Sequence, residues 1–529
     1  MTNSLALPTI VALARAGATG QAIEAFEAAG FHERQGDVAA LTVWGRLLKD
    51  LAQRAQAADR PARYREAAHA YERAAAVGGG SYPLINAATL FALAGDDGQA
   101  AWLAAQVLES VASRPDEPET PYWNGATRAE ALLLLGREED GRTALADAIS
   151  LAPKAWEDHA STLRQFALIL QARGKDPAWL DPLRPPRSLH FGGHMSFDAR
   201  VGSRAHLDDR IGEVIEEEKV AFGYGALAAG ADIIIAEALV ERGAELHAVL
   251  PGGHAAFAAV SIDPFGKGWR RRFDELLERA ATIRSVRPLG VAPDRAMVEL
   301  ADEIAMGAAA MNARRLETES LQLLVLVDED GAEPQPSLHH AHWARAGWRQ
   351  RIVPAPREAL PFGDTPVLAA GHSKLAALVV PVGVREGLEQ RLAAIGEVLG
   401  REAAPAVGPY FTGDGVVIGF AEARQAAMAA LAVARTIDLE AGRGVGGHYG
   451  VADPIRDPFE GGLRVGGDPA ALAAAAAASA PAGTVCVTAD FAAALAAARQ
   501  TAVRWELVGE LESVGPAEPV ELYALKPRL

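Results

Sequence analysis

Asp414 is the residue of this sequence best placed to hold a metal ion. It stands in Thr412-Gly413-Asp414-Gly415, ahead of the apolar run Val416-Val417-Ile418-Gly419-Phe420. Mg²⁺ usually takes one or two carboxylates together with the phosphates of a substrate, so a single carboxylate would hold it only weakly. The same Asp-Gly pair is also a favoured two-residue hairpin turn, because both positions tolerate positive φ. Three other stretches could cradle an anion. Gly192-Gly193-His194, Gly223-Tyr224-Gly225 and Gly252-Gly253-His254 each follow a short apolar run. Small residues at strand ends let backbone N–H groups approach a phosphate; tight strand-to-helix turns use glycine in the same way. The spacing is not G-x-G-x-x-G, so no dinucleotide fingerprint is read. Glu237 follows the second turn on a helical pattern. A lone carboxylate on a helix is ordinarily solvated, and without a second acid or a base it specifies no hydrolysis.

These residues need elements to position them. The glycine turns end strands near 188–191, 219–222 and 246–250; 321–327 adds a fourth apolar strand, and helical stretches at 231–243 and 269–284 lie between. Strand, glycine turn and helix in repetition predict a doubly wound parallel α/β sheet over 187–353. Asp414 belongs to a third segment, 372–526. Its order is a strand at 375–382, a helix, a hairpin at 409–420, a helix at 421–437, a glycine-rich strand ending at His448-Tyr449-Gly450, an alanine helix, a strand around Cys486, a second alanine helix and two closing strands. That order predicts an α+β domain. Residues 1–182 read instead as helix after helix. Gly95 and Gly136, 41 positions apart, each end an apolar helix ahead of a short acidic turn, and a weaker copy surrounds Gly17. Helical hairpins repeated in this way predict a small solenoid. The proline-rich stretch 177–186 reads as a linker.

Composition narrows the function. A net charge of −17 over 529 residues argues against broad contact with nucleic acid or an anionic membrane. The local run Arg270-Arg271-Arg272 is answered by Asp274, Glu275 and Glu278. The single cysteine, Cys486, excludes an internal disulfide and a cysteine zinc cluster, and it reads as a buried thiol. With neither a signal-peptide pattern at the N-terminus nor a run of about 20 apolar residues, the expected location is the cytoplasm.

The first segment resembles a divergent tetratricopeptide-type array. The middle one resembles the Rossmann-like nucleotide-sensing superfamily that includes the lysine-decarboxylase-like phosphoribohydrolases and the DNA-processing protein Smf. That resemblance implies that Gly192, Gly193, Gly223, Gly225 and Glu237 lie beside a nucleotide-like ligand. The third segment resembles the class III adenylate and guanylate cyclases in a ferredoxin-like α+β fold. The motifs that carry it are the Asp414 hairpin, His448-Tyr449-Gly450, Asp457-Pro458, Val465-Gly466, Pro481-Ala482-Gly483 leading into the Cys486 strand, and the closing hairpin from Leu507 to Leu525. The family needs a second metal-binding aspartate, which would stand at Pro381, and a purine-reading lysine, which would stand near Tyr410. It also needs an asparagine and an arginine, four residues apart, on the helix after Gly466. In either register these last two are alanines, Ala470 and Ala474 or Ala471 and Ala475. The resemblance therefore implies a pseudo-cyclase, a regulatory or scaffold protein that homodimerises through its third segment. A protein or peptide partner is expected at the helical repeats and a nucleotide-like ligand in the middle. Mg²⁺ or Mn²⁺ would enter at Asp414 only if the cyclase site were active. The alternatives are an active nucleotide cyclase within a heteromer, and a nucleotide hydrolase in the middle segment.

Overall fold

The computed structural model describes residues 6–113, 120–195, 201–287, 292–328, 343–344, 347–356, 372–383, 387–402, 404–413, 415–436, 443–459, 461–499, 501–511 and 519–528. They form two compact units, Met1–Pro185 with Arg315–Glu317, and Pro186–Arg314 with Thr318–Arg528. No helix among the described residues is long and apolar enough to cross a membrane.

The first unit is a stack of helical hairpins. It runs α1 (Leu7–Arg15), α2 (Thr19–Ala28), α3 (Val38–Arg54), α4 (Arg60–Ala74), α5 (Ser81–Leu93), α6 (Asp97–Ser113), α7 (Pro121–Leu134), α8 (Glu138–Leu151) and α9 (Trp156–Ala172). Gly17, Gly95, Gly136 and Gly174 all take positive φ just after a helix. The residue beyond each donates its N–H back to a carbonyl five positions earlier, Ala18 to Leu13, Asp96 to Phe91, Arg137 to Leu132 and Lys175 to Leu170. One left-handed cap thus recurs in register. The Gly174 cap escapes the sequence pattern because Lys175-Asp176-Pro177 follows it in place of a second helix. The stretch read as a linker is packed. Ala178–Leu183 forms a 3₁₀ helix whose Leu180 is fully buried and whose Trp179 ring meets Phe166 edge-on at 6.2 Å.

The second unit holds two sheets. The first contains β1 (Arg187–Gly193), β2 (Val220–Gly225), β3 (Glu245–Leu250), β4 (Thr282–Ser285), β5 (Ser320–Asp328) and β6 (Arg349–Pro356), ordered β4-β3-β2-β1-β5-β6 with every pairing parallel. Between the strands run α10 (Val201–Glu217), α11 (Ala231–Glu241), α12 (His254–Ser261), α13 (Lys267–Arg279) and α14 (Arg295–Arg315). On one face Leu189, Phe191, Leu323 and Val325 pack against Ile211, Ile215 and Ile235 of α10 and α11; each such burial is worth ~1.5–3 kcal/mol. The other face is polar. Asn312 donates to Ser188 (3.0 Å), His190 Nε2 lies 3.0 Å from Asp302, and Gln322 and Gln350 extend the row. Asp302 and Asn312 both belong to α14, and buried polar groups bonded in this way hold one register between sheet and helix.

The second sheet contains β7 (Ser373–Val380), β8 (Val407–Thr412), β9 (Gly415–Phe420), β10 (Val445–Arg456), β11 (Leu463–Gly466), β12 (Val485–Thr488), β13 (Val503–Leu511) and β14 (Val520–Pro527). Its order is β13-β14-β12-β10-β7-β9-β8, with β11 paired to β10 alone. The helices are α15 (Leu388–Glu402), α16 (Ala423–Thr436), α17 (Asp468–Ser479) and α18 (Ala489–Ala497). The glycine-rich strand does not stop at Gly450. It continues to Arg456, because β11 pairs with it from Asp453 onward and carries the ladder out into an arm. Its glycines admit helices: a Cβ on Gly446 would lie 2.7 Å from Cα of Ala477 in α17. Cys486 is buried in β12, and burial pushes its thiol up to about 12.

The same α14 also touches the second sheet. Glu303 takes Lys374 of β7 (3.1 Å) and the Tyr449 hydroxyl of β10 (3.1 Å), and Gly307 lies against the backbone of Ala493 in α18. Arg284 of β4 pairs with Asp490 at 2.7 Å.

Candidate functional site

The chain holds two candidate sites, the carboxyl edge of the parallel sheet and the open end of β7 with its hairpin. At the first, the strand order reverses between β1 and β5, and in open α/β sheets such a reversal opens the ligand crevice. Gly192 and Gly193 close β1 at that point, opposite Leu324 and Val325. They differ in what they face. A Cβ on Gly192 would meet nothing nearer than 3.8 Å, whereas one on Gly193 would overlap the Val325 carbonyl and approach Ala231 to 2.6 Å. Gly223 and Gly225 on β2 are required by packing as well, against Leu239 and against Phe191 respectively. Glu237 is engaged by a basic side chain of the fold. Both of its oxygens are held at 2.6 Å by Arg272 of α13, a bidentate pair that leaves the carboxylate committed.

Asp232 makes the crevice less welcoming to phosphate. It is buried in the first turn of α11, accepts the Ala228 N–H at 3.2 Å, and its Oδ1 would lie 3.9 Å from a Cβ on Gly192. The N–H of Ala231 is already given to the His194 carbonyl. The first turn of the helix that could have faced a phosphate therefore already holds a carboxyl group of its own.

At the second site, β7 and β9 pair up to Val380 and Val416, which sets Gly415 beside the end of β7. A Cβ on Gly415 would lie 3.0 Å from Cα of Pro381, and its φ is +138°. Asp414 itself lies outside the described residues. Tyr410, near the expected purine reader, is engaged in structure. Its hydroxyl accepts the Val465 N–H at 3.0 Å, and Arg464 covers its ring; burial raises its pKa. Along α17, Ala473, Ala476 and Ala477 are buried against the sheet while Ala471 is exposed and Ala475 half-buried. Either alanine pair of the sequence reading leaves this helix without a charge or a donor at the expected positions. His448 is buried, with Nδ1 2.8 Å from the Thr488 hydroxyl, and burial lowers its pKa to about 4. Asp457 is tied into the arm by Arg464 and by the Phe459 N–H.

Among the described residues no group of three His, Cys, Asp or Glu side chains could hold a metal ion. Pro381, the residue beside Gly415 at the end of β7, has no side-chain group that could bind a metal ion.

Residues 6–91 match the family model described as Tetratricopeptide Repeats-Sensor. No curated protein matches. Solved structures that are similar over about 30% of this chain include the following. The adenylate/guanylate cyclase/hydrolase from Silicibacter pomeroyi is 18% identical over 30% of this chain and 100% of that one, with a TM-score of 0.25. The adenylyl cyclase CyaB from P. aeruginosa is 14% identical over 30% and 96%, with a TM-score of 0.24. The guanylate cyclase domain of RhGC from Catenaria anguillulae, in complex with GTP, is 13% identical over 30% and 100%, with a TM-score of 0.25. Likeness at this level carries no chemistry, which has to come from the chain's own side chains.

One cluster has no counterpart in the sequence reading. Arg287, Asp294, His372 and Asp453 meet at the carboxyl edge of the parallel sheet, although up to 166 positions separate them. No local spacing could have signalled it.

Proposed function

We propose that the protein is a regulatory or scaffold member of the cyclase-like fold group whose third segment does not cyclise nucleotides. The observation that carries this reading is Pro381 beside Gly415, where a metal-binding acid would have to stand. The alanines of α17 support it, because charge developing on a transferred phosphoryl group would meet methyl groups there. Loss of one preorganised electrostatic contact typically costs ~3 kcal/mol of transition-state stabilisation, and several are missing together. Dimerisation through this segment is the role left to it. The arm of β10 and β11 exposes Ile455, Phe459 and Leu463, apolar surface that a second copy would cover. The test is the full-length protein with Mn²⁺ and ATP or GTP, with and without Asp414→Ala. No cyclic nucleotide is expected from either, and product lost on the substitution would overturn the reading.

A second reading concerns the parallel sheet, as a sensor of a small nucleotide-like ligand. Gly192 at the strand-order reversal favours it, and so does the sensor description of the family matched at residues 6–91. Asp232 points to recognition of sugar hydroxyls or base N–H groups more than phosphates. Thermal-shift screening of nucleosides beside nucleotides tests this; ligands that stabilise the chain raise its midpoint by mass action.

A further inference from the structure

His372 precedes β7 and is surrounded by groups from three other elements. Its Nδ1 lies 2.6 Å from Oδ2 of Asp294, which also accepts the His372 backbone N–H at 2.8 Å and, through Oδ1, the Met297 N–H at the start of α14. Burial pushes the Asp294 carboxyl upward, but these hydrogen bonds outweigh it and hold the group below the ordinary carboxylate range. Asp294 is therefore an ionised acceptor, and Nδ1 carries a proton toward it.

The other ring nitrogen is contested. Nη1 of Arg287, just beyond β4, lies 2.5 Å from Nε2, and Oδ1 of Asp453, at the root of the arm, lies 3.2 Å from the same atom. A guanidinium has only donors and an ionised carboxylate only acceptors. Facing Arg287, Nε2 must be bare and the imidazole neutral. Facing Asp453, it must carry a proton. No single protonation state would let Nε2 bond to both; the structure aligns it with Arg287, and Asp453 stands within ion-pair distance.

We infer that His372 is a proton-operated exchange point in the joint between the two sheets. Neutral, it accepts a hydrogen bond from Arg287. Protonated, it repels Arg287, donates to Asp453 and bridges that residue to Asp294. One proton so moves the anchor of the arm from the edge of β4 to the start of α14, and frees a guanidinium at the carboxyl edge of the parallel sheet. The contact between Arg287 Nη2 and Asp453, 3.5 Å, is the one broken in the exchange. Other charges nearby are engaged elsewhere: Lys374, two residues on, is held by Glu299 and Glu303, and Arg295 by Glu299. The device needs no nucleotide and does not rest on the reading of the third segment as inactive.

The test uses the full chain and thermal midpoints at about pH 5.5 and about pH 8.5, an interval over which histidine side chains in general can change charge. Asp453→Asn should lower the midpoint by several degrees at the acid pH and by less at the alkaline one, where only its 3.5 Å contact with Arg287 is lost. Arg287→Gln should lower it at the alkaline pH and hardly at the acid one. In a His372→Gln background each substitution should have the same effect at both pH values. Because variants are compared at one pH at a time, the other titrating groups cancel. Equal losses at both pH values, or a crossover that survives His372→Gln, would overturn the inference, since a packing role gives pH-independent losses. Should a variant fail to fold, amide exchange in β10 and β11, corrected for its intrinsic pH dependence, reads the same event. Protection there should change with pH in the wild type and not in His372→Gln; an unchanged wild type would sink the idea.

Discussion

Replacing Gly307 by alanine probes whether α14 holds the two sheets of the second unit together. A Cβ at this position would overlap the Ala493 carbonyl oxygen and lie 2.7 Å from the Ala493 Cα. Both sides of the contact are backbone in helices α14 and α18, so neither can swing aside as a side chain would. Overpacking ordinarily costs ~1–3 kcal/mol, and backbone against backbone belongs at the upper end. Against this stands the helix-propensity gain of ~1 kcal/mol for alanine over glycine. The net expectation is a loss of ~2 kcal/mol. At roughly 2 °C per kcal/mol for a large unit, that is a fall of about 4 °C in the midpoint of the second unit. Gly396→Ala is the matched control. Gly396 is exposed on α15 with nothing within 4 Å of its would-be Cβ, so the propensity gain acts alone and the midpoint should rise by about 2 °C. Calorimetry of the full chain resolves the two. If Gly307→Ala were as stabilising as Gly396→Ala, α14 could not lie against α18 as described.

At the crevice, Gly192→Ala should leave the thermal midpoint nearly unchanged, while Gly193→Ala should lower it by several degrees, because only the second Cβ meets the Val325 carbonyl. The buried His448 sets a pH dependence. Its folded pKa of about 4 lies below the ~6.5 of an unfolded chain, so unfolding takes up a proton between those values. The stability it allows is intact above pH ~6.5 and is lost as the pH falls toward 4, by up to ~3 kcal/mol. In urea titrations the gap between wild type and His448→Gln should therefore narrow or reverse between about pH 7.5 and about pH 4.5; a constant gap would refute the assignment.

The helical repeats were legible because one glycine sets each left-handed cap, and glycine is costly to replace where φ is positive. The strands β1, β2, β3 and β5 were legible as apolar runs. β4 and β6 were not. Thr282-Ile283-Arg284-Ser285 alternates without an apolar run, and Gln350 of β6 serves the polar row facing α14. The glycine turns looked like cradles for an anion, yet Gly193, Gly223 and Gly225 each have a packing reason that only the neighbouring element reveals. Glu237 looked solvated or ligand-bound until Arg272, 35 positions on, was seen to take it. At the end of β7 the sequence displays Pro381 directly, and the fold adds that Gly415 packs against it. The His372 joint could not be read in advance, since its four members are neighbours only after both sheets have formed.

The short 3₁₀ turn after α9 has a role of its own. A stack of like hairpins has no internal reason to stop, and its last layer would offer bare hydrocarbon to any similar layer that drifted by. Trp179, wedged between Phe166 and the guanidinium of Arg142, and Leu180 beneath it, act as a lid on that terminal layer. Removing those two side chains would create a sticky end, and the protein would be expected to grow into filaments or aggregates before it lost its helices.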